Sequence, residues 1–405
     1  MKTLCVGGGP AGLYSAILAA LREPDAEVEV LERYAPGDTH GWGVVFGESL
    51  LDDLYRNDPE SARTLRDAAT VWSRQVVRVG GAEPVYLGGR YGFSMGRTRM
   101  LEILTARAEE LGVRMRWGTE LADADLAGIG DEADVVVGAD GAGSRVRAVH
   151  DFRTTVTSGR NRYAWLGTES PLEAFTFAFE RTDAGWIWFH GYPSSGGTST
   201  CIVECTPETW SGLGLDTLDV DAGLRLLDGV FARHLGGRTL LRPPGRASAA
   251  APWLTFRHVR TAGWVDGSVV LAGDAAHTTH FAIGSGTTLA VQDAIRLAES
   301  RALFHDDPAG ALAGYDAVRR QEVDRIQVEA ARSMTWFERL PELLEGSDPV
   351  RFAYELLDRR GDHSESWRYG VHLATQVAGL RKVRQGMTRV RRTARAVRRG
   401  ERVAP

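Results

Sequence analysis

Short apolar runs alternate along the chain with longer stretches of helical spacing. Thr3-Leu4-Cys5-Val6, Val28-Glu29-Val30-Leu31, Val135-Val136-Val137 and Val269-Val270-Leu271 each run into a glycine or an acid. Runs this short and this β-branched fit strands buried on both faces of a parallel sheet. Helical patterns follow at residues 11–22, 99–111 and 288–303. Strand and helix in alternation predict a doubly wound, Rossmann-like α/β unit.

Between residues 155 and 210 the period changes to two. Phe175, Phe177 and Phe179 alternate with smaller or polar residues, and Asp183-Ala184-Gly185 makes a turn. Trp186, Trp188, His190 and Tyr192 then fall on one face of the next strand, and residues 198–205 supply a third. The pattern predicts an antiparallel β-sheet inserted within the α/β unit. Its aromatic face is suited to wall a flat apolar substrate. From about residue 310 the chain reads as helical. Residues 381–402 hold ten Lys and Arg against one acid, Glu401, and read as a solvated terminal helix or tail.

At 405 residues the chain exceeds one ordinary core, and two or three packed units are expected. A net charge of -5 gives no reason to expect nucleic acid as a partner. The apolar stretch at residues 13–21 follows closely spaced glycines and a single Lys2, so it reads as a first helix rather than a leader. No span long enough for a membrane follows, and a cytoplasmic protein, monomeric or homodimeric, is expected. Three cysteines cannot complete a disulfide framework; Cys201 and Cys205 should share one face as packed thiols.

Three glycine motifs carry candidate chemistry. Gly7-Gly8-Gly9-Pro10-Ala11-Gly12 stands at a strand-to-helix junction. Gly7 permits the tight turn, Gly9 lets a pyrophosphate approach the backbone, and Gly12 allows close helix–strand packing. Glu32 ends the second strand, where an acid bonds the ribose hydroxyls of an adenine dinucleotide. That acid disfavours a 2′-phosphate, so FAD or NAD fits better than NADP there. In Val135-Val136-Val137-Gly138-Ala139-Asp140-Gly141, a strand runs into an acid and a glycine beside the dinucleotide. In Leu271-Ala272-Gly273-Asp274-Ala275-Ala276-His277, Asp274 is placed to accept from ribityl hydroxyls, with His277 a packing residue. Gly284, Ser285, Gly286 and Thr287 then open a helix whose N-terminus can face the ring edge that gains negative charge on reduction.

These motifs, in this order, resemble the FAD-dependent aromatic monooxygenases related to para-hydroxybenzoate hydroxylase. Gly41-Trp42-Gly43-Val44-Val45-Phe46, Trp165-Leu166-Gly167-Thr168, Ile202-Val203-Glu204-Cys205 and residues 280–286 are similar to salicylyl-CoA 5-hydroxylase, anthraniloyl-CoA monooxygenase and the violacein-pathway tryptophan hydroxylase. The resemblance implies FAD contacts at Gly7, Gly9, Pro10, Ala11, Gly12, Glu32, Arg33, Arg97, Leu121, Asp140 and Asp274. It puts the isoalloxazine beside Trp42, Gly43, Val44, Gly284, Ser285 and Gly286. His280-Phe281 stands where the wider family usually has proline, which implies a different substrate pocket. The implied division is FAD-binding at 1–75, 97–155 and 256–330, substrate-binding at 76–96 and 156–255, and a helical C-terminal region at 331–405.

The implied activity is hydroxylation of an electron-rich ring through a flavin C4a-hydroperoxide, consuming NADH or NADPH and O2. An aryl-CoA thioester such as salicylyl-CoA is the leading substrate, with Arg160, Arg162, Arg257 and Arg260 as candidates for its phosphates. Tryptophan or an indole is the alternative, and a third reading is an FAD-binding protein that does not oxygenate. His280 and His190 are the candidate catalytic residues, positioned to bond a phenol or amine. The competing account for each is a histidine satisfied inside the fold. No residue set has metal-ligand spacing.

Overall fold

The computed structural model describes residues 1–39, 41–88, 91–243 and 253–360. The apolar runs pair as expected. A six-stranded sheet has the order Val265–Asp266, Val269–Leu271, Val135–Gly138, Lys2–Val6, Glu27–Glu32, Arg114–Trp117. All neighbours are parallel except the hairpin joining the first two strands. Val30, Val136, Val137 and Val270 are fully buried, as strands covered on both faces require. Strand order reverses at Lys2–Val6, so the loops leaving Lys2–Val6 and Val135–Gly138 diverge around a crevice. Helix Pro10–Arg22 packs on helix Gly286–Leu303 beside this sheet.

The inserted sheet is larger than the sequence pattern predicts. Its order is Leu240–Leu241, Thr154–Thr168, Ser199–Cys205, Gly185–Pro193, Phe175–Thr182, Gln75–Val79, Val85–Leu87, and Trp253–Thr261 also pairs with Thr154–Thr168. Thr154–Thr168 is polar over most of its first half, which hides a strand from a search for alternation. One face buries Ala164, Phe189, Cys201, Val203 and Cys205 against helix Val220–Leu235, through Leu227 and Phe231. The two thiols do share a face.

The aromatic face is where the expectation needs correcting. Phe175, Phe177, Phe179 and Trp188 are buried with Phe337, Leu340 and Phe352 of helices Pro308–Glu338, Leu340–Leu344 and Pro349–Asp358. Most of the stripe is thus covered by the C-terminal helices rather than left as a substrate wall. Burying that much aromatic surface against a helix layer stabilises more than exposing it to a ligand.

A three-stranded sheet, Gly43–Phe46, Gly92–Gly96 and Thr70–Trp72, adjoins the inserted sheet. Two motifs quoted separately from the sequence meet here. Trp165 lies on Gly41, where a Cβ would stand 2.9 Å from the indole, and Trp42 lies on Gly167, where a Cβ would stand 2.3 Å from it. The Tyr192 hydroxyl donates to the Gly43 carbonyl at 2.9 Å. The basic run at 381–402 lies outside the described residues. Among the described residues, no helix is long and apolar enough to cross a membrane.

Candidate active-site cleft

The crevice opens into a cleft of about 1190 Å³, lined by all three glycine motifs and by the inserted sheet. A single small-molecule site usually measures roughly 300–1,000 Å³. This one is large enough for a dinucleotide with a second molecule beside it. A smaller cavity of about 370 Å³ lies between helices Pro10–Arg22 and Gly286–Leu303, bordered by Met1, Thr3 and Ala298.

Gly7 adopts φ +111°, and a Cβ there would fall 2.4 Å from the Ala139 carbonyl oxygen. A Cβ on Gly12 would lie 2.0 Å from the Gly7 oxygen, so helix and turn touch backbone to backbone. Nothing stands within 4 Å of a Cβ on Gly9, which faces open cleft. Pro10 starts the helix and no side chain caps it, leaving N–H donors turned toward the cavity. Glu32 accepts from the Gly8 N–H at 2.6 Å and the Tyr34 N–H at 2.9 Å. Ala11, Arg33 and Leu121 line the same end, and the Arg33 guanidinium sits 4.7 Å from the centre of the Tyr34 ring.

Asp140 borders the cleft, yet both its oxygens are engaged locally. One accepts from Ser144 Oγ at 2.5 Å, the other from the Arg145 and Val146 N–H groups at 2.7 and 3.2 Å. It therefore supports the start of helix Arg145–Val149, which Ser144 caps, and shapes the loop. Arg147, unremarked in the sequence, ties that loop to the third motif by donating to the carbonyls of Ala142 and Ala275 at 2.7 and 2.6 Å.

Asp274 opens onto the cleft, but the protein around it strips away enough water to raise its carboxyl above the usual range. Arg97 faces the same space, donates to Thr39 Oγ1 at 3.0 Å, and has its guanidinium pKa lowered by burial. Behind the motif, Asp293 accepts from the Gly273 N–H at 2.7 Å, His277 Nε2 at 2.8 Å and Arg319 Nε at 2.7 Å. His277 is thus a packing residue, stacked on Trp264 at 5.0 Å. Gly284 (φ +63°) turns the chain into helix Gly286–Leu303, again with no side-chain cap. Gly43, Val44, Ser285, Gly286 and Thr287 line the cleft here, whereas Trp42 turns its ring onto Gly167. Two uncapped helix N-termini therefore converge on one cavity.

The remaining wall is aromatic: Tyr163, Trp165, Tyr192, Phe256 and Phe281. Neither candidate histidine belongs to it. His280 is buried against Phe256 and Phe281, at 5.1 and 4.1 Å between ring centres. His190 is buried between Phe281 and Phe175, at 5.5 and 6.1 Å. Burial, reinforced by Arg359, pushes each down to about 3, which keeps both rings neutral. Of the arginines expected at the mouth, Arg160 pairs with Glu208 at 2.7 Å and Arg260 with Asp324 at 3.2 Å. Arg162 is held by Thr255. Arg257 lines the cleft with no carboxylate partner among the described residues.

Sequence reasoning also passed over the acid in its own motif. Glu204 is buried, accepting from Asn161 Nδ2 at 2.7 Å and Trp188 Nε1 at 3.1 Å, with no ion-pair partner among the described residues. Burial pushes its pKa up to about 7 against those two hydrogen bonds, with Glu338 adding to the rise. A raised acid contributes stability that is full below its unfolded value and is lost as pH climbs through the folded one. Wild-type stability should therefore fall between about pH 4.5 and 7, by on the order of 3 kcal/mol from this group. Glu204→Gln flattens that fall in urea titrations run across the range. An unchanged slope would show that Glu204 does not titrate there.

A glycine turn open at Gly9, an acid at the end of the second strand and two uncapped helix ends fit an adenine dinucleotide with a ring system at its far end. Comparison with known proteins agrees. The FAD binding domain family matches residues 1–329. Salicyloyl-CoA 5-hydroxylase of a Streptomyces species is 36% identical over 89% of this chain and 70% of its own length. The 3-hydroxy-4-methyl-anthranilyl-[aryl-carrier protein] 5-monooxygenase of Streptosporangium sibiricum is 36% identical over 95% of this chain and 100% of its own. Among solved structures, p-nitrophenol 4-monooxygenase from Pseudomonas putida shares the fold, with a TM-score of 0.66 at 18% identity over 93% of this chain and 98% of its own. The cleft is thus that of a flavoenzyme, and the chain belongs to the FAD-binding family of flavin-dependent aromatic monooxygenases.

Proposed function

We propose that this protein hydroxylates an electron-rich aromatic ring presented as an acyl thioester, with salicylyl-CoA or a related aryl-CoA as substrate and NADH or NADPH as reductant. The supporting observation is the cleft itself, which joins a glycine-lined polar half to an aromatic half and exceeds the volume of a single ligand. The two relatives at 36% identity carry names that place an aromatic acyl group on CoA or on an aryl-carrier protein, and oxidation at position 5.

Bound FAD would supply the redox chemistry that couples NAD(P)H and O2 to ring hydroxylation, one oxygen atom entering the ring and the other leaving as water. The chain's residues bind, orient and shield. Gly9, Ala11 and Gly12 would present N–H donors and open space to the pyrophosphate, with Gly7 making the turn and Pro10 starting the helix. Glu32, Arg33 and Leu121 border the adenosine, and Asp274 accepts from the ribityl chain beside Arg97. Asp140 fixes the loop between them. Gly43, Val44 and Gly284 to Thr287 border the ring system, and Trp42 braces the first of these through Gly167. Tyr163, Trp165, Phe256 and Phe281 make the substrate wall and exclude water, which otherwise diverts the reaction to peroxide. His190 and His280, neutral and behind Phe281, hold that wall in place. Arg257 at the mouth meets the phosphates of the CoA arm.

The test is NAD(P)H oxidation with salicylyl-CoA, free salicylate, a carrier-protein thioester, tryptophan and indole, followed by mass spectrometry under 18O2. Stimulation and label incorporation with the aryl-CoA are expected. Arg257→Ala should raise KM for that substrate about tenfold with kcat little changed, the loss of one exposed charge–phosphate contact. Stimulation by the carrier-bound acyl group alone moves the assignment to that donor. Stimulation by tryptophan or indole and by no thioester overturns it. If no aromatic compound stimulates oxidation, oxygenation itself is refuted.

A further inference from the structure

The segment beyond the family match reaches back to the loop that faces the ring system. Arg359 Nη2 donates to the Ala282 carbonyl at 2.6 Å, and Arg360 Nη2 donates to the next carbonyl, Ile283, at 2.7 Å. Arg359 is itself fixed, with Nε on Ser333 Oγ at 3.1 Å and Nη1 on the Leu356 carbonyl at 2.6 Å. Its guanidinium lies 5.5 Å from the Phe337 ring centre and 5.7 Å from that of Phe177. A planar fork held on three sides in an aromatic cage is an unusual investment for a surface cation.

The position of those two carbonyls gives the contact its meaning. They immediately precede Gly284, whose φ of +63° reverses the chain into the uncapped N-terminus of Gly286–Leu303. The N–H groups of Ile283 and Gly284 close back on the carbonyls of His280 and Phe281 at 3.1 and 3.0 Å, so the two arginines and this turn together fix where the chain enters Ser285 and Gly286, which line the cleft. We propose that Arg359 and Arg360 are positioning residues that fix the turn leading into Ser285 and Gly286, so that the uncapped N-terminus of helix Gly286–Leu303 is aimed at the ring, and thereby favour the reduced over the oxidised flavin. The mechanism is electrostatic: negative charge collects on the ring edge on reduction, and aimed N–H groups stabilise it. This rests on the proposed placement of the ring beside Gly284 and Gly286.

The experiment measures the flavin reduction potential and the visible spectrum of FAD-loaded wild type, Arg359→Ala, Arg359→Lys and Arg360→Gln, with Arg351→Gln as control. Arg351 is exposed on helix Pro349–Asp358, which Arg359 ends, and pairs with Glu355. Arg359→Ala should weaken reduced-over-oxidised preference about tenfold, a shift of ~30 mV to more negative potential for a two-electron couple. Arg359→Lys and Arg360→Gln should each shift it by roughly threefold, and Arg351→Gln should not shift it. If Arg359→Ala does not fold, the Lys and Gln variants decide the matter. Variants that melt earlier but keep the wild-type potential overturn the proposal, because a purely structural role predicts that pattern. Wild type that takes up no FAD refutes the underlying ring placement instead.

Discussion

Gly12→Ala yields protein that purifies colourless. The added Cβ would stand 2.0 Å from the Gly7 oxygen, and no side-chain shift can relieve the clash, because a Cβ is fixed by its own backbone and its partner is a backbone oxygen. Gly7 cannot retreat. Its N–H donates to the Leu31 carbonyl at 2.8 Å, and the space where its Cβ would stand is filled by the Ala139 carbonyl. The helix must move instead, carrying its N-terminal donors off the pyrophosphate. Overpacking of this kind costs about 1–3 kcal/mol in stability. With the donors misaimed, FAD affinity should fall at least about a hundredfold, or ~2.7 kcal/mol. Absorbance near the flavin bands and an FAD titration read this out. Gly9→Ala separates the two effects, because its Cβ meets nothing within 4 Å. That variant should keep the melting temperature of the FAD-free protein and still lose affinity. A Gly12→Ala protein as yellow as wild type would refute the assignment of this turn.

Asp293→Ala is expected to cost about 3–5 kcal/mol, the loss seen when one member of a buried ion pair is removed. Arg319 Nε, the Gly273 N–H and His277 Nε2 would all lose their acceptor in a buried site. Urea unfolding at pH 7 measures the loss, and a difference under 1 kcal/mol would argue against the cluster as drawn. The pH dependence runs opposite to that of Glu204. Burial alone would raise the Asp293 carboxyl, but His277 and Arg319 outweigh it and hold the group below its ordinary value. A depressed acid contributes stability that is present above the unfolded pKa and is lost as pH falls through the folded one. Wild type should thus lose this contribution below about pH 4, while Asp293→Asn, already without the charge, should show a shallower acid limb.

Local chemistry explains what the sequence made legible. The Val-rich runs and the turn at Gly7 to Gly12 depend on neighbours a few positions away, so period and glycine spacing suffice to find them. The aromatic stripe on Phe175 to Tyr192 was legible as a face. What covers it was not, because the C-terminal helices arrive from far along the chain. Strand Thr154–Thr168 escaped notice because its polar half is stabilised by pairing with Trp253–Thr261, not by its own pattern. Asp140 reads as a ligand contact, and no spacing rule says that its carboxylate also accepts from Ser144 and the Arg145 N–H. Glu204 sat inside a quoted motif, yet no spacing rule says that its partners are Asn161 and Trp188. Arg147, Arg359 and Arg360 act on carbonyls 128 and 77 positions away, and a lone arginine in a helical stretch gives no local sign of that.

The paired stacking of Trp165 on Gly41 and Trp42 on Gly167 has an evolutionary reading. Each indole occupies the volume its opposite glycine vacates, so neither segment can accept a bulkier residue while the other keeps its ring. Altering the pocket beside the flavin is then a matter of exchanging two distant stretches in concert. Directed libraries that vary one stretch alone should return mostly insoluble clones.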